Sequence, residues 1–369
     1  SVTDPSGPSR TPNFERIANW RSFSFLGNRP SSNAVYLGTR HEPPASLRQF
    51  ADHSVSDRPF RIAVVGGTHG NERGGIWVAK HMLENPEEWN RTGLEVQALL
   101  ANPKAVDRNL RYLDRDLNRC FGPELDNATP DHPHWERRRA LEIRDNLCRN
   151  DSRPGFARLG NDSAGPDLVV DLHNTTSNMG VTWILTALDP WPLYLAAKAQ
   201  EADPRVRILH TPESSRSNVF LPSLGRHEVT LEIGPVSHGT HCHWAWLAAR
   251  DHVKGILDRL AVAEQDFDPS VALTEMRFEI FETVSVERYP LDKNGRPCAL
   301  IHSSAWGFDY QPLKDGDPLF VDPSTETTLP YRGPTIYPVF MGEAAYVESG
   351  IAYHATRRLR WNGTRGESC

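Results

Sequence analysis

Three side chains in this sequence are spaced to share one metal ion. His69 and Glu72 stand together in Gly66-Gly67-Thr68-His69-Gly70-Asn71-Glu72, and His173 follows about a hundred residues later. Two histidines and a glutamate leave one position of a tetrahedral zinc ion for water, which is the arrangement of a hydrolytic site rather than a structural one. Asp171, two residues before His173, is placed to accept a hydrogen bond from a ligand imidazole and fix its tautomer. A lone His-x-x-Glu also has a plainer explanation. The histidine is then a hydrogen-bonded turn residue, and the glutamate a first-turn residue favoured by a helix dipole.

The elements around these residues favour the metal. Apolar runs at 62–65 and 168–172 end at the glycine turn and at His173, so two strand ends each deliver a histidine. The glycines let the first loop turn sharply. Strand patterns at 61–66, 95–101, 167–172, 181–186, 206–210 and 228–233 alternate with helical ones near 72–84, 134–149, 191–202 and 241–264. Such alternation predicts an α/β fold with a largely parallel sheet, in which ligands gather at the carboxyl ends of strands. After Asp268-Pro269 short β-type runs (277–283, 299–302, 319–321 and 336–340) are separated by Gly and Pro turns. The predicted organisation is an N-terminal extension over 1–57, a catalytic α/β domain over 58–267 and a smaller, mostly-β domain over 268–369. The extension reads as an arm that packs locally or on a partner subunit.

Four further segments carry chemistry. Arg111-Tyr112-Leu113-Asp114-Arg115-Asp116-Leu117-Asn118-Arg119 is dense in guanidinium groups, which grip carboxylates and steady oxyanions. Its alternating Arg and Asp equally suit a surface loop of internal ion pairs. Glu232 sits inside the apolar strand 229–233, just before Gly234-Pro235, and is costly to bury unless it is paired or working. Asn174 opens a polar loop, 174–180, beside His173 and is placed on the substrate side. Glu343-Ala344-Ala345-Tyr346 is the fourth.

The remaining composition mostly excludes. A net charge of −6 argues against a nucleic-acid surface, and no apolar stretch approaches the ~20 residues that span a bilayer. Five scattered cysteines without a C-x-x-C pair read as reduced residues of a cytoplasmic protein. The run Arg137-Arg138-Arg139, with Glu136, Glu142 and Asp145 nearby, reads as a solvated, salt-bridged helix face.

Taken in order, these motifs resemble one family closely. Gly-Gly-Thr-His-Gly-Asn-Glu, Arg-Tyr-x-Asp-x-Asp-Leu-Asn-Arg, Asp-Leu-His-Asn-Thr-Thr-Ser-Asn-Met-Gly, Glu-x-Gly-Pro and Tyr-Pro-Val-Phe-x-x-Glu-Ala-Ala-Tyr follow the pattern of the aspartoacylase and succinylglutamate desuccinylase family of zinc amidohydrolases. The resemblance runs from about residue 61 to 355. It implies a zinc-carboxypeptidase-like mixed sheet flanked by helices and one zinc ion per subunit, held by His69, Glu72 and His173. It further implies Glu232 as general base and acid, and Arg111 as the group that polarises the carbonyl. Asn118 and Arg119 are implied as contacts to the substrate carboxylate, and Tyr346 as a contact that closes the pocket. The implied activity is hydrolysis of an N-acyl amino acid, a small-molecule amide, to a carboxylate and a free amino acid. A homo-oligomer is expected.

Departures from the pattern concern the substrate. Where aspartoacylases supply a tyrosine and an arginine to grip the aspartate part, an ungapped alignment gives Asn218 and Pro222, with Arg216 or Arg226 as substitutes if the backbone path differs. Phe220, Trp244 and Trp246 suit an aromatic or larger apolar group. The cluster His238, His241, Cys242 and His243 is read either as a second metal site, as a pocket wall or as helix-start residues. Tyr346 is followed by Val347 rather than a second tyrosine. Two other readings stay open: the same zinc site acting on another C–N bond (a small peptide, an acylated hydrazine-like group or the reverse condensation), and a metal-binding scaffold without activity.

Overall fold

The structure is a computed structural model and describes residues 59–123, 125, 129–148, 165–212, 219–263, 267–363 and 367–368. The predicted arm over 1–57 lies outside the described residues, as do Asn218 and Arg216.

Among the described residues twelve strands and six α-helices follow one another from residue 60. In chain order the first are β1 (Phe60–Gly66), α1 (Arg73–Glu84), β2 (Leu94–Leu100), α2 (Pro103–Arg108), α3 (Trp135–Leu147), β3 (Leu168–Asn174) and β4 (Gly180–Leu185). Next come α4 (Pro190–Ala202), β5 (Arg207–His210), β6 (His227–Gly234), α5 (His243–Ala261), α6 (Pro269–Glu275) and β7 (Arg277–Arg288). The last are β8 (Leu300–Ile301), β9 (Pro318–Asp322), β10 (Thr327–Pro330), β11 (Ile351–Asn362) and β12 (Glu367–Ser368).

Among the described residues nine strands form one sheet, in the order β12-β11-β7-β5-β4-β6-β3-β1-β2. β1 and β3 read as near-continuous apolar runs because both of their faces are covered. Ala63, Val64, Val65, Val169 and Val170 are fully buried. β1, β3 and β6 run parallel as neighbours, so their carboxyl ends lie side by side. β4 runs antiparallel to β6 and pairs Thr182 with Glu232, which makes the sheet mixed. The loop after β1 is held close to its surroundings by glycine. Gly67 has φ +74°, and a Cβ added to Gly70 would lie 2.1 Å from the carbonyl carbon of Ala105.

The strands after residue 268 are of two kinds. β7 pairs parallel with β5, and β11 pairs antiparallel with β7, so both continue the large sheet. β10, β9 and β8 form a separate antiparallel sheet over Ile301, Leu313, Leu319, Phe320 and Ile336. The expected strand at 336–340 is reduced to single bridges, Ile336 to Leu313 and Val339 to His354. β11 is not foreseen by its pattern. Arg357, Arg358 and Arg360 fall among its residues, and the run Ala352–Thr356 is buried without alternation.

Charged residues near α3 also differ from expectation. Arg139 donates to the carbonyl oxygens of Ala101 at 2.6 Å and Leu100 at 3.0 Å, at the carboxyl end of β2. Glu136 is fully buried rather than solvated, because it takes hydrogen bonds from a neighbouring loop described below. Among the described residues no helix is long and apolar enough to cross a membrane.

Candidate metal centre and its cavity

His69 and Glu72 come from the turn between β1 and α1, closed by a Glu72 N–H to His69 carbonyl bond of 3.2 Å. Glu72 occupies the N-cap position of α1, yet its side chain does not cap the helix. Instead it faces the two histidines. Its Oε1 lies 2.7 Å from His69 Nδ1, and its Oε2 lies 2.9 Å from His173 Nδ1. The two Nδ1 atoms face each other across 3.2 Å. All three residues are buried, with ligand-type atoms within 4.8 Å of one another, and theirs is the one such group among the described residues.

Each imidazole is oriented from behind. His69 Nε2 meets Asp116 Oδ1 at 3.0 Å, and His173 Nε2 meets Asp171 Oδ2 at 2.8 Å. Thr68 Oγ1 donates to Asp171 Oδ1 at 2.7 Å, which fixes that carboxylate. A carboxylate accepts but does not donate, so it takes the N–H of each ring at Nε2 and leaves a lone pair at each Nδ1. Two converging lone pairs and a carboxylate repel unless a cation lies between them. The donor set therefore fits a divalent metal, and a site of two nitrogens and one carboxylate oxygen is a zinc-type set. In the protein alone, burial pushes Glu72 up, but His69 and His173 outweigh it and hold the carboxyl well below its usual range. Burial pulls His173 down, and Asp171 with Glu72 outweighs it and holds the ring well above its usual value.

Glu232 stands beside this group because β3 and β6 pair in register, His173 against Glu232. Burial raises its carboxyl well above the usual range, and Glu72 and Glu343 add to the shift against the pull of His173 and Arg111. Two buried glutamates a strand apart are thus pushed in opposite directions, the pattern by which one site separates a permanent anion from a proton carrier. Arg111 donates from Nη1 to Glu72 Oε1 at 3.0 Å and lies 3.4 Å from Asp116 Oδ2 through Nη2.

His69, Glu72, Arg111, Asn118, Arg119, His173, Asn174, Glu232 and Tyr346 line one cavity, so these nine candidates are brought to the same place. Their engagement differs. Asn174 is tied to the scaffold through Gly74 N–H at 2.8 Å and the Ile233 carbonyl at 3.3 Å, which favours a positioning part. Asn118 accepts from Leu221 N–H at 2.9 Å, and the Arg119 guanidinium lies 4.6 Å over the Phe220 ring. Tyr346 stacks on His354, with centroids 5.4 Å apart. Its hydroxyl is pushed up by burial and by Glu232.

The wall beyond Glu232 carries Phe220, Pro222, Ile184, Thr230 and Phe340. Arg226 is exposed and is not among the lining residues. The His238–His243 cluster disperses. His241 accepts from Trp77 Nε1 at 2.9 Å, His243 stacks on Trp246, and His238 lies 3.4 Å from Glu343.

Two residues at the site escape a reading of the sequence for roles. Asp116 is hidden in a run whose alternating charges look like surface ion pairs. Glu343 accepts from Thr176 N–H at 2.8 Å, from the hydroxyls of Thr175 and Thr176, and from Ala345 N–H at 2.9 Å. It thereby joins the loop after β3 to the segment that carries Tyr346. Only its place in the Glu-Ala-Ala-Tyr segment hinted at it.

Residues 60–259 match the succinylglutamate desuccinylase/aspartoacylase catalytic domain, and residues 276–358 match the AstE/AspA barrel-sandwich hybrid domain. The chain is 37% identical over 305 residues to an N-acyl-aromatic-L-amino acid amidohydrolase (carboxylate-forming) of Xenopus tropicalis, covering 81% of this chain and 93% of that protein. It is 33% identical to a probable aspartoacylase of Acaryochloris marina, covering 81% and 96%. The crystal structure of murine aminoacylase 3 superposes with a TM-score of 0.73 at 31% identity, covering 83% of this chain and 97% of that one. With two domain models matched in order and relatives aligned over most of their length, the chain belongs to the succinylglutamate desuccinylase/aspartoacylase family.

Proposed function

We propose that this protein is a zinc-dependent amidohydrolase that cleaves an N-acyl amino acid to a carboxylate and a free amino acid. The observation that carries the reading is the pair of imidazoles, each backed by a carboxylate at Nε2, whose Nδ1 atoms converge with Glu72, one strand away from a glutamate with a raised pKa. When bound there, a zinc ion supplies the Lewis acidity that makes water nucleophilic near neutral pH.

The chain's own residues do the rest. Asn118 and Arg119 hold the α-carboxylate of the substrate, and Arg111 lies where it can steady the carbonyl oxygen as charge develops. Glu232 takes a proton from the attacking water as the C–O bond forms. It returns that proton to the nitrogen as the C–N bond breaks, so a neutral amine leaves. A carboxyl lifted by burial is suited to both halves of that transfer. Tyr346 closes the pocket over the bound amide.

The wall supports a neutral side chain on the substrate. Pro222 and Phe220 offer no charge to a second carboxylate, and the relatives named for aromatic substrates are as similar as those named aspartoacylase. The proposal includes one zinc ion per subunit of a cytoplasmic homo-oligomer; the free thiols Cys120, Cys148, Cys242 and Cys298 support the compartment. A panel of N-acetyl amino acids, with release of acetate and amine both quantified, tests the activity. Turnover of N-acetyl-phenylalanine or N-acetyl-tyrosine above N-acetyl-aspartate is expected. A zinc-loaded protein that cleaves no member of the panel would overturn the reading.

A further inference from the structure

Arg111, Asp116, Asn118 and Arg119 all ride on one irregular segment, and something must hold it against the strand ends. Glu136, in the first turn of α3, is the residue placed to do so. Its carboxylate is fully buried. Oε1 accepts from Leu113 N–H at 2.7 Å and from Asn102 Nδ2 at 3.2 Å, and Oε2 accepts from Asp114 N–H at 3.0 Å and Arg115 N–H at 3.3 Å. Three consecutive backbone donors and one side-chain donor thus converge on a single anion.

The attachment is reciprocal. Asp114 Oδ2 accepts from Trp135 N–H at 2.6 Å, which supplies α3 with the N-terminal acceptor it otherwise lacks. Asn102 Oδ1 accepts from Trp135 Nε1 at 2.8 Å and from Ala105 N–H at 3.4 Å, tying the same knot to α2. The segment also touches the metal turn directly, through Gly70 N–H to the Arg111 carbonyl at 3.2 Å. A carboxylate buried as Glu136 is needs donors, and the half-buried stretch 113–115 supplies three of its four by curling around it.

We propose that Glu136 is a positioning residue that sets the geometry of Arg111 and Asp116, and through Asp116 the orientation of His69 at the metal. It touches neither metal nor substrate. Leu113, Asp114 and Arg115 lie between Arg111 and Asp116 in sequence, so fixing those three amides fixes the offset between the group that faces the carbonyl and the group that backs the ligand. The inference rests on the role of Arg111 given under the proposed function and on Asp116 standing behind the candidate ligand His69.

Replacing Glu136 with Gln puts an amide NH2 among N–H donors, so at least one backbone donor loses its acceptor. The test compares wild type, Glu136→Gln and Glu136→Asp by thermal unfolding, zinc affinity from chelator competition, and kcat and KM on whichever amide the wild type turns over. Glu136→Gln is expected to weaken zinc binding about tenfold or more, in the range seen when groups behind a metal ligand are altered, and to lower kcat by at least as much. Glu136→Asp keeps the anion but shortens its reach, and is expected to fall between the two. Should Glu136→Gln not fold, the Asp variant carries the test alone. A folded variant with lowered stability but unchanged zinc affinity and unchanged kcat would overturn the proposal. Zinc affinity is read without turnover, so it judges this inference even if the amidohydrolase reading fails.

Discussion

The site is made of two regions built by different means. One is the metal corner, where His69, Glu72, His173 and Glu232 stand on or just beyond the adjacent parallel strands β1, β3 and β6. The other is the far wall, where Phe220, Pro222, Phe340 and Tyr346 come from loops and short turns. In the corner, strand register sets the spacing, and the covered strands behind it have no freedom to slip without exposing Val64 or Val170. In the wall, spacing depends on polar ties such as Glu343 to Thr176 and Asp309 to the backbone of Asn178 and Met341. The difference teaches where change is tolerated. On the proposed reading, chemistry rests on strand register and selectivity on loops held by polar ties.

The largest effect should come from the corner. Glu232→Gln removes the proposed proton carrier and leaves the three candidate ligands in place, and is expected to lower kcat by about 10³-fold or more while zinc content stays at the wild-type level. In the wild type the acid limb of activity should lie above the usual carboxylate range, because the base form is lost as pH falls through a raised pKa. An acid limb at an ordinary carboxylate value would detach that limb from Glu232.

A smaller effect belongs to the wall. Burial pushes the Asp309 carboxyl up to about 6, against the hydrogen bonds it accepts from Met341 and Asn178. The folded state therefore binds this proton more tightly than the unfolded chain does. Its contribution is full below the ordinary carboxylate value near 4 and is lost as pH rises through about 6, an effect of up to about 3 kcal/mol. Urea midpoints for wild type and Asp309→Asn should diverge across that window; a constant difference would clear Asp309 of the pH dependence.

Next in size is the support behind His173. Asp171→Asn should weaken zinc binding by about 10- to 100-fold with little change in fold, measured by chelator competition. The smallest change expected is one of selectivity. Pro222→Arg should raise kcat/KM for N-acetyl-aspartate relative to N-acetyl-phenylalanine by about tenfold, without altering zinc affinity. A loss of metal in that variant would show that the wall and the corner are not separable.

The same division explains what could be read from the sequence. The metal corner was legible because strands covered on both faces leave long apolar runs, and a histidine at the end of such a run stands out. Glu232 was legible for the same reason, as a lone charge in an apolar strand. Glu136 and Asp116 were not, since a first-turn glutamate and an aspartate among arginines each have a sufficient local explanation, and their partners lie across the fold. β11 was hidden because its arginines and its long buried stretch cancel the alternation of a strand. The order of strands around β4, which runs against β6, depends on how loops return and leaves no periodic trace.

One titration tests the central claim most directly. Protein stripped with a chelator is supplied with zinc in steps, and bound metal and amide hydrolysis are followed together for wild type and Glu232→Gln. The account predicts that hydrolysis by the wild type returns in proportion to the first equivalent of zinc, and that Glu232→Gln takes up the same equivalent with almost no turnover. Full activity in the stripped protein, or equal turnover in the two loaded proteins, would contradict it.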